Sequence, residues 1–117
     1  MNFAFSEEQE QLREFVRQFL ENYSAETTVR ELMETESGYD AATWSMMAEQ
    51  LGLQSLIIPE EYGGNGAGIL ALARVTEQLA QADSGFGVAF AVNALGSFPI
   101  ILGGTEEQKQ EWLPAIA

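Results

Sequence analysis

The sequence predicts an all-α fold, a helical bundle of about five to six helices gathered around an apolar helix near 86–95. Three observations predict it. Apolar side chains recur at Leu12, Phe15, Val16, Phe19, Leu20 and Tyr23, the i, i+3, i+4, i+7, i+8 and i+11 spacing of one helical stripe. Two capping boxes, Ser6-Glu7-Glu8-Gln9 and Thr105-Glu106-Glu107-Gln108, mark helix starts, because hydroxyl and amide side chains there satisfy free backbone N–H groups. Finally, no side chain from Ser84 to Thr105 is charged, in a chain of 117 residues with formal net charge −13. A segment kept apolar in so acidic a chain reads as the buried centre.

The first helix follows Ser6 and turns outward a face of Glu10, Arg13, Glu14, Arg17 and Glu21. Like charges at Glu10/Glu14 and Arg13/Arg17 are mildly unfavourable, as on an ordinary solvated surface. Ser24 is placed to cap a second helix running to about Glu36, with Val29, Leu32 and Met33 on its apolar side and Gly38 as its stop. Asp40 caps a third, in which Trp44, Met47, Ala48 and Leu51 repeat the helical spacing and Gly52 follows. Met46 and Met47 beside Trp44 read as core. Residues 53–58 read as a short buried extended run closed by Pro59, and 60–68 as a glycine-rich loop. A fourth helix covers about 69–82, with Leu72, Val75, Leu79 and Ala82 on one side and alanines that allow close helix contact. The last helix runs from Thr105 toward Leu113.

The uncharged stretch admits three readings. Its length and apolarity would suit a membrane span. Glycines at 85, 87, 96, 103 and 104, Pro99, and acidic neighbours in place of basic anchors speak against that. A strand over 87–92 is opposed by Ala89, Ala91 and Ala94, which favour helix. The preferred reading is a helix over 86–95, apolar on every face and therefore enclosed by other helices. Gly96 and Pro99 would end or kink it, leaving 99–102 as a short second piece.

Composition excludes whole classes of chemistry. The chain has no cysteine and no histidine, hence no disulfide, no thiolate or imidazole metal site and no Ser-His-Asp arrangement. Five basic against eighteen acidic residues cannot neutralise a row of phosphates, so nucleic acid is not an expected partner and an anionic nucleotide is not held mainly here. Neither a catalytic nor a metal-ligating residue is expected in the chain. Met1 to Glu8 lacks the pattern of a signal peptide or presequence, from which a cytoplasmic location is expected. The stop at Ala117, close behind Pro114 and without a polar tail, leads us to expect a longer natural polypeptide.

Gly66-Ala67-Gly68-Ile69-Leu70-Ala71 matches the spacing of a dinucleotide fingerprint. The match is discounted: the glycines come seven positions after Pro59, with Glu60 and Glu61 between, instead of following a strand directly. Glycines that turn the chain between two elements account for the stretch.

The order of several short motifs carries a resemblance. Ser6-Glu7-Glu8-Gln9, Leu51-Gly52-Leu53, Pro59-Glu60-Glu61-Tyr62-Gly63-Gly64, Asn93-Ala94-Leu95-Gly96, Pro99-Ile100, Gly104-Thr105-Glu106-Glu107-Gln108-Lys109 and Leu113-Pro114 span nearly the whole chain. Together they resemble the N-terminal helical domain of the acyl-CoA dehydrogenase family. The resemblance implies that residues 1–117 are that domain, that the family's central β-domain and C-terminal helical bundle are absent from this chain, and that the chain is inactive alone. It implies, for the complete protein, α,β-dehydrogenation of acyl-CoA thioesters in fatty acid metabolism, with FAD held mainly by the other two parts. A glutamate in the bundle would remove the α-proton while hydride leaves the β-carbon for the flavin. An electron-transfer acceptor protein and a homotetramer are also implied.

The resemblance further assigns one wall of the acyl pocket to the uncharged helix, with Gly87, Val88, Ala91 and Leu95 as substrate-binding residues. Some relatives carry a glutamate at the position of Ala91; alanine would leave room for a long, branched or ring-bearing acyl group. Plain helix packing is the competing account of these four residues. Related flavin oxidases and monooxygenases share this first domain, and a non-catalytic helical interaction subunit is a further reading. The enzyme-part reading predicts an exposed apolar face along 86–102, and with it self-association of the isolated chain.

Overall fold

The computed structural model describes residues 4–117, so the leader reading for Met1 to Phe3 lies outside the described residues. Six α-helices follow one another: α1 (Glu7–Tyr23), α2 (Glu26–Met33), α3 (Ala41–Glu49), α4 (Gly68–Ala82), α5 (Ser84–Gly103) and α6 (Glu106–Ile116), with one 3-10 turn at Glu60–Tyr62 before α4. The described residues contain no strand. The expected all-α class holds.

Local chemistry places the starts. Ser6 Oγ accepts the Gln9 amide at 3.2 Å while Gln9 Oε1 accepts the Ser6 amide, and Thr105 and Gln108 repeat the arrangement at α6. Asp40 caps α3 through the Thr43 amide and hydroxyl. Gly52 ends α3 with φ +61°, its N–H on the Ala48 carbonyl and that of Leu53 on Met47.

Four expectations are corrected. Ser24 does not cap α2; its backbone N–H closes α1 on the Leu20 carbonyl, and α2 begins after Ala25 with no side-chain cap. Helix α2 stops at Met33, before Gly38, because Thr35 Oγ1 donates to the Leu32 carbonyl and accepts the Gly38 amide, a local alternative to helical bonding. Residues 53–58 are successive turns, closed by Leu56 on Leu53 and Ile58 on Ser55, although Leu53, Leu56 and Ile58 are buried as expected. The stripe of α1 is narrower than its spacing suggests: Val16, Phe19 and Leu20 are buried, while Phe15 and Tyr23 are exposed. On the outer face of α1, glutamates and arginines pair at i, i+3 and i, i+4, so the like-charge repulsion is offset.

Helix α4 is the hub. It packs against α1 on one side and α5 on the other, and α6 covers the far end of α5. The main core gathers Val16 and Leu20 of α1, Met47 of α3, Leu53 and Leu56, Val75 and Leu79 of α4, and Phe90 of α5. A second cluster at the opposite end joins Ile58, Tyr62 and Leu113, where the Tyr62 hydroxyl donates to the Glu106 carboxylate at 3.0 Å. The molecule measures 44 × 42 × 20 Å. A thickness of 20 Å holds two layers of helices at most, since each is roughly 10 Å across. No helix can be enclosed in such a slab.

Candidate functional site

Helix α5 departs furthest from its sequence reading. It runs unbroken from Ser84 to Gly103, through both Gly96 and Pro99. Proline inside a helix removes one hydrogen bond and crowds the preceding turn. Packing holds the helix together past that point: Ser97, fully buried, anchors the turn before the proline, with its Oγ donating to the Asn93 carbonyl of the same helix at 3.0 Å, and Ile100 and Ile101 pack on the Ile58, Tyr62 and Leu113 cluster. Upstream, Asp83 caps the helix through the Gly85 amide, and Asn93 Nδ2 donates to the Gln54 carbonyl at 3.2 Å, tying its middle to the turns before α4.

The expectation that α5 is enclosed on every face is also corrected. Gly87, Phe90, Ala94 and Ser97 are buried, and the opposite side is open. Val88 is 62% exposed, Val92 56%, Leu95 64% and Leu102 81%. These four fall at i, i+4, i+7 and i+14, one continuous strip of alkyl groups with Pro99 between the last two. Among the described residues, α5 is the one helix long and apolar enough to cross a membrane.

The four residues expected at the wall are thereby divided. Val88 and Leu95 stand on the open strip, and Ala91 lies half-buried at its edge. Gly87 turns toward α4, where a Cβ would come within 2.8 Å of Ala80 Cβ and 3.0 Å of the Ala80 backbone. Its lack of a side chain sets how closely α4 and α5 approach. Gly87→Ala is expected to destabilise the fold by about 1–2 kcal/mol, overpacking outweighing the gain in helix propensity. Urea midpoints of the single variant and of Gly87→Ala/Ala80→Gly check this: the double variant should recover part of the loss. Val92, absent from the sequence expectation, belongs on the strip; its position four residues after Val88 is the available signal.

The strip is made of carbon alone, so it can exclude water and hold an alkyl group, but it can neither move a proton nor bind an anion. The glycine loop does not supply the missing chemistry. The amides of Asn65, Gly66 and Ala67 donate to the carbonyls of Ser55, Ile58 and Leu56 at 2.9–3.0 Å, and those of Gly63 and Gly64 to Glu60 and Pro59. Amides engaged in this way cannot cradle a phosphate. All four arginines are paired with glutamates. The residues present do not fit the pyrophosphate of a dinucleotide, in line with the discounted fingerprint. Among the described residues there is no cluster of acidic side chains able to hold a metal ion.

The family described as "Acyl-CoA dehydrogenase, N-terminal domain" matches residues 6–117. The chain is 44% identical over 77 residues to the acyl-CoA dehydrogenase IpdE2 of Mycolicibacterium smegmatis, covering 66% of this chain and 25% of that protein. It is 35% identical to the probable acyl-CoA dehydrogenase YngJ of Bacillus subtilis, over 100% of this chain and 30% of that protein. To the acyl-CoA dehydrogenase FadE12 of Mycobacterium tuberculosis it is 35% identical, over 99% of this chain and 29% of that protein. The chain therefore spans between a quarter and a third of the length of these curated relatives. No solved structure matches.

Proposed function

Since the chain belongs to the acyl-CoA dehydrogenase N-terminal domain family, we propose that its open α5 strip forms one wall of the acyl pocket in a complete FAD-dependent acyl-CoA dehydrogenase. The carrying observation is the strip itself: Val88, Val92 and Leu95 exposed side by side on a helix whose other face is sealed. A solitary folded domain gains nothing by leaving so much apolar surface in water. Against an alkyl chain, each buried methylene contributes about 0.8 kcal/mol and strands no polar group. Ala91, small and at the edge of the strip, supports a substrate class of long, branched or ring-bearing acyl groups.

In this reading the chain binds and orients the alkyl end and keeps water from it. FAD, the catalytic base and the contacts to the phosphates of coenzyme A lie in a β-domain and helical bundle outside these residues, and no step of the flavin chemistry falls to this chain. The complete enzyme is a cytoplasmic homotetramer that passes electrons to an acceptor protein. Acidic residues at both ends of α5, Asp83, Glu106 and Glu107, support an interface within a soluble protein over a membrane span.

The test is anaerobic titration of the protein, expressed from its complete reading frame, with acyl-CoAs of increasing bulk. The oxidised-flavin absorbance is expected to bleach, most readily with bulky acyl groups. A flavin that binds and never bleaches would favour the oxidase or monooxygenase relatives. A protein without flavin, folded and monomeric by light scattering over a range of concentrations, would favour the interaction subunit.

A further inference from the structure

A cleft of about 730 Å³ opens beside the N-terminal end of α5, on a different side from the acyl strip. Its walls come from the end of α1, from α2, from the start of α3 and from the first turns of α5. That volume is within the range of small-molecule sites, roughly 300–1,000 Å³. None of Val88, Ala91, Val92 and Leu95 lines it. It therefore needs an explanation of its own.

Aromatic rings and carboxylates distinguish its lining. Tyr23, Tyr39, Trp44 and Phe86 all line it, with Trp44 and Phe86 at 5.8 Å between ring centroids and tilted by 47°. Asp40 and Asp83 stand among these rings, and no lysine or arginine lines the cleft. Both aspartates are helix caps. Asp40 Oδ2 accepts the Thr43 hydroxyl at 2.6 Å and the Thr43 amide at 2.9 Å, and Asp83 Oδ1 accepts the Gly85 amide at 2.8 Å. The Thr43 hydroxyl, followed by the Thr43 amide, holds the Asp40 carboxyl below its usual range. A carboxylate has about four acceptor sites, so capping leaves capacity toward the cleft.

We propose that this cleft is a binding site for an organic cation, an ammonium group carried on an apolar body. Aromatic rings attract a positive charge placed over their faces, and the two carboxylates add a Coulombic attraction that an anion would meet as repulsion. The alkyl side chains of α2 and the methyl of Ala89 cover the apolar part of the ligand. Helix α2 can yield to admit it: it buries none of its own side chains in the core and has no side-chain cap. The site stands whether or not the acyl-wall reading holds, because the two surfaces share no lining residue.

Isothermal titration of the full chain with three probes sharing one ring tests the assignment: benzyltrimethylammonium, neutral benzyl alcohol and anionic benzoate. The cation is expected to bind at least about tenfold more tightly than either of the others. Ala89→Phe, which fills the cleft from an exposed position on α5, should weaken cation binding severalfold. Asp83→Asn should do the same while preserving the cap, since asparagine caps as well as aspartate. It keeps the test valid if the bulky variant fails to fold, as circular dichroism would show. Glu111→Gln, exposed on α6 and away from both the cleft and the strip, should change nothing. Equal binding of the three probes, no heat at about millimolar cation, binding that survives both Ala89→Phe and Asp83→Asn in folded protein, or binding lost in Glu111→Gln, would each overturn the proposal.

Discussion

Gly64→Ala is expected to destabilise the domain by about 3 kcal/mol or more, the largest effect of a methyl group added at any of its glycines. A Cβ at Gly64 would lie 2.0 Å from the Ile58 carbonyl oxygen and 2.5 Å from the Ile58 carbonyl carbon and Cβ. None of these can move aside cheaply. Ile58 is fully buried in the cluster with Tyr62 and Leu113, and its carbonyl already accepts the Gly66 amide at 2.9 Å. The loop is laced to the turns before it by the Asn65–Ser55 and Ala67–Leu56 bonds, so displacing Gly64 strains several hydrogen bonds together. Urea unfolding monitored by far-ultraviolet circular dichroism measures the loss. Gly96→Ala is the contrasting case. Gly96 is helical and exposed, and a methyl group there would meet nothing within 4 Å, so this change should stabilise by about 0.5–1 kcal/mol through backbone entropy alone. Similar midpoints for the two variants would remove the steric account of Gly64.

Ala91→Phe in the complete enzyme is expected to lower kcat/KM for bulky acyl-CoAs by about a hundredfold or more while leaving short ones within about threefold. This outcome follows from the proposed wall. Ala91 stands where α5 turns from its sealed face to its open strip, half-buried between Val88 and Leu95. A phenyl ring there projects into the space a long or branched alkyl group would need, and a short acyl group does not reach it. Losing that much transition-state binding corresponds to about 2.7 kcal/mol, the order of several methylenes left unburied. Equal loss on short and bulky substrates would instead indicate that Ala91 is a packing residue of α5. Steady-state kinetics across a chain-length series makes the distinction.

Both predictions concern glycines and alanines, and these are the residues least legible in the sequence. A glycine in a sequence reports that a side chain is absent, and not which neighbour needs the space. Gly87 illustrates this: helical spacing groups it with Val88, Ala91 and Leu95 on one side, yet it turns to Ala80 while Val88 and Leu95 turn away. Periodicity locates a face to within about a quarter turn, and the boundary between a buried and an open strip is sharper than that. Spacing alone argues against the dinucleotide fingerprint, and the structure adds that the amides of Gly66 and Ala67 are already spent on the carbonyls of Ile58 and Leu56.

Turn chemistry behaves differently from caps. Ser6, Asp40 and Thr105 act as helix starts because a short polar side chain and the amide three residues on are enough to define the motif. Ser24 carries the same side chain as Ser6 and does not cap, since the chain at that point is still completing the last turn of α1. The cleft among Tyr23, Tyr39, Trp44 and Phe86 leaves no sequence signal, because its residues come from four segments brought together only by folding.

Legible in the residues alone are the helical class, the positions of α1, α3, α4 and α6 to within a few residues, the family, and the lack of histidine and cysteine chemistry. These are matters of local bonding, spacing and composition. That α5 continues through Pro99, that one of its faces is sealed and the other open, and that Gly87 belongs to the sealed one emerge only from packing between segments. Apolar composition says that a side chain favours leaving water; which surface receives it depends on contacts between segments far apart in the chain. In a slab two helices thick, the outer face of α5 has no receiving surface among the described residues.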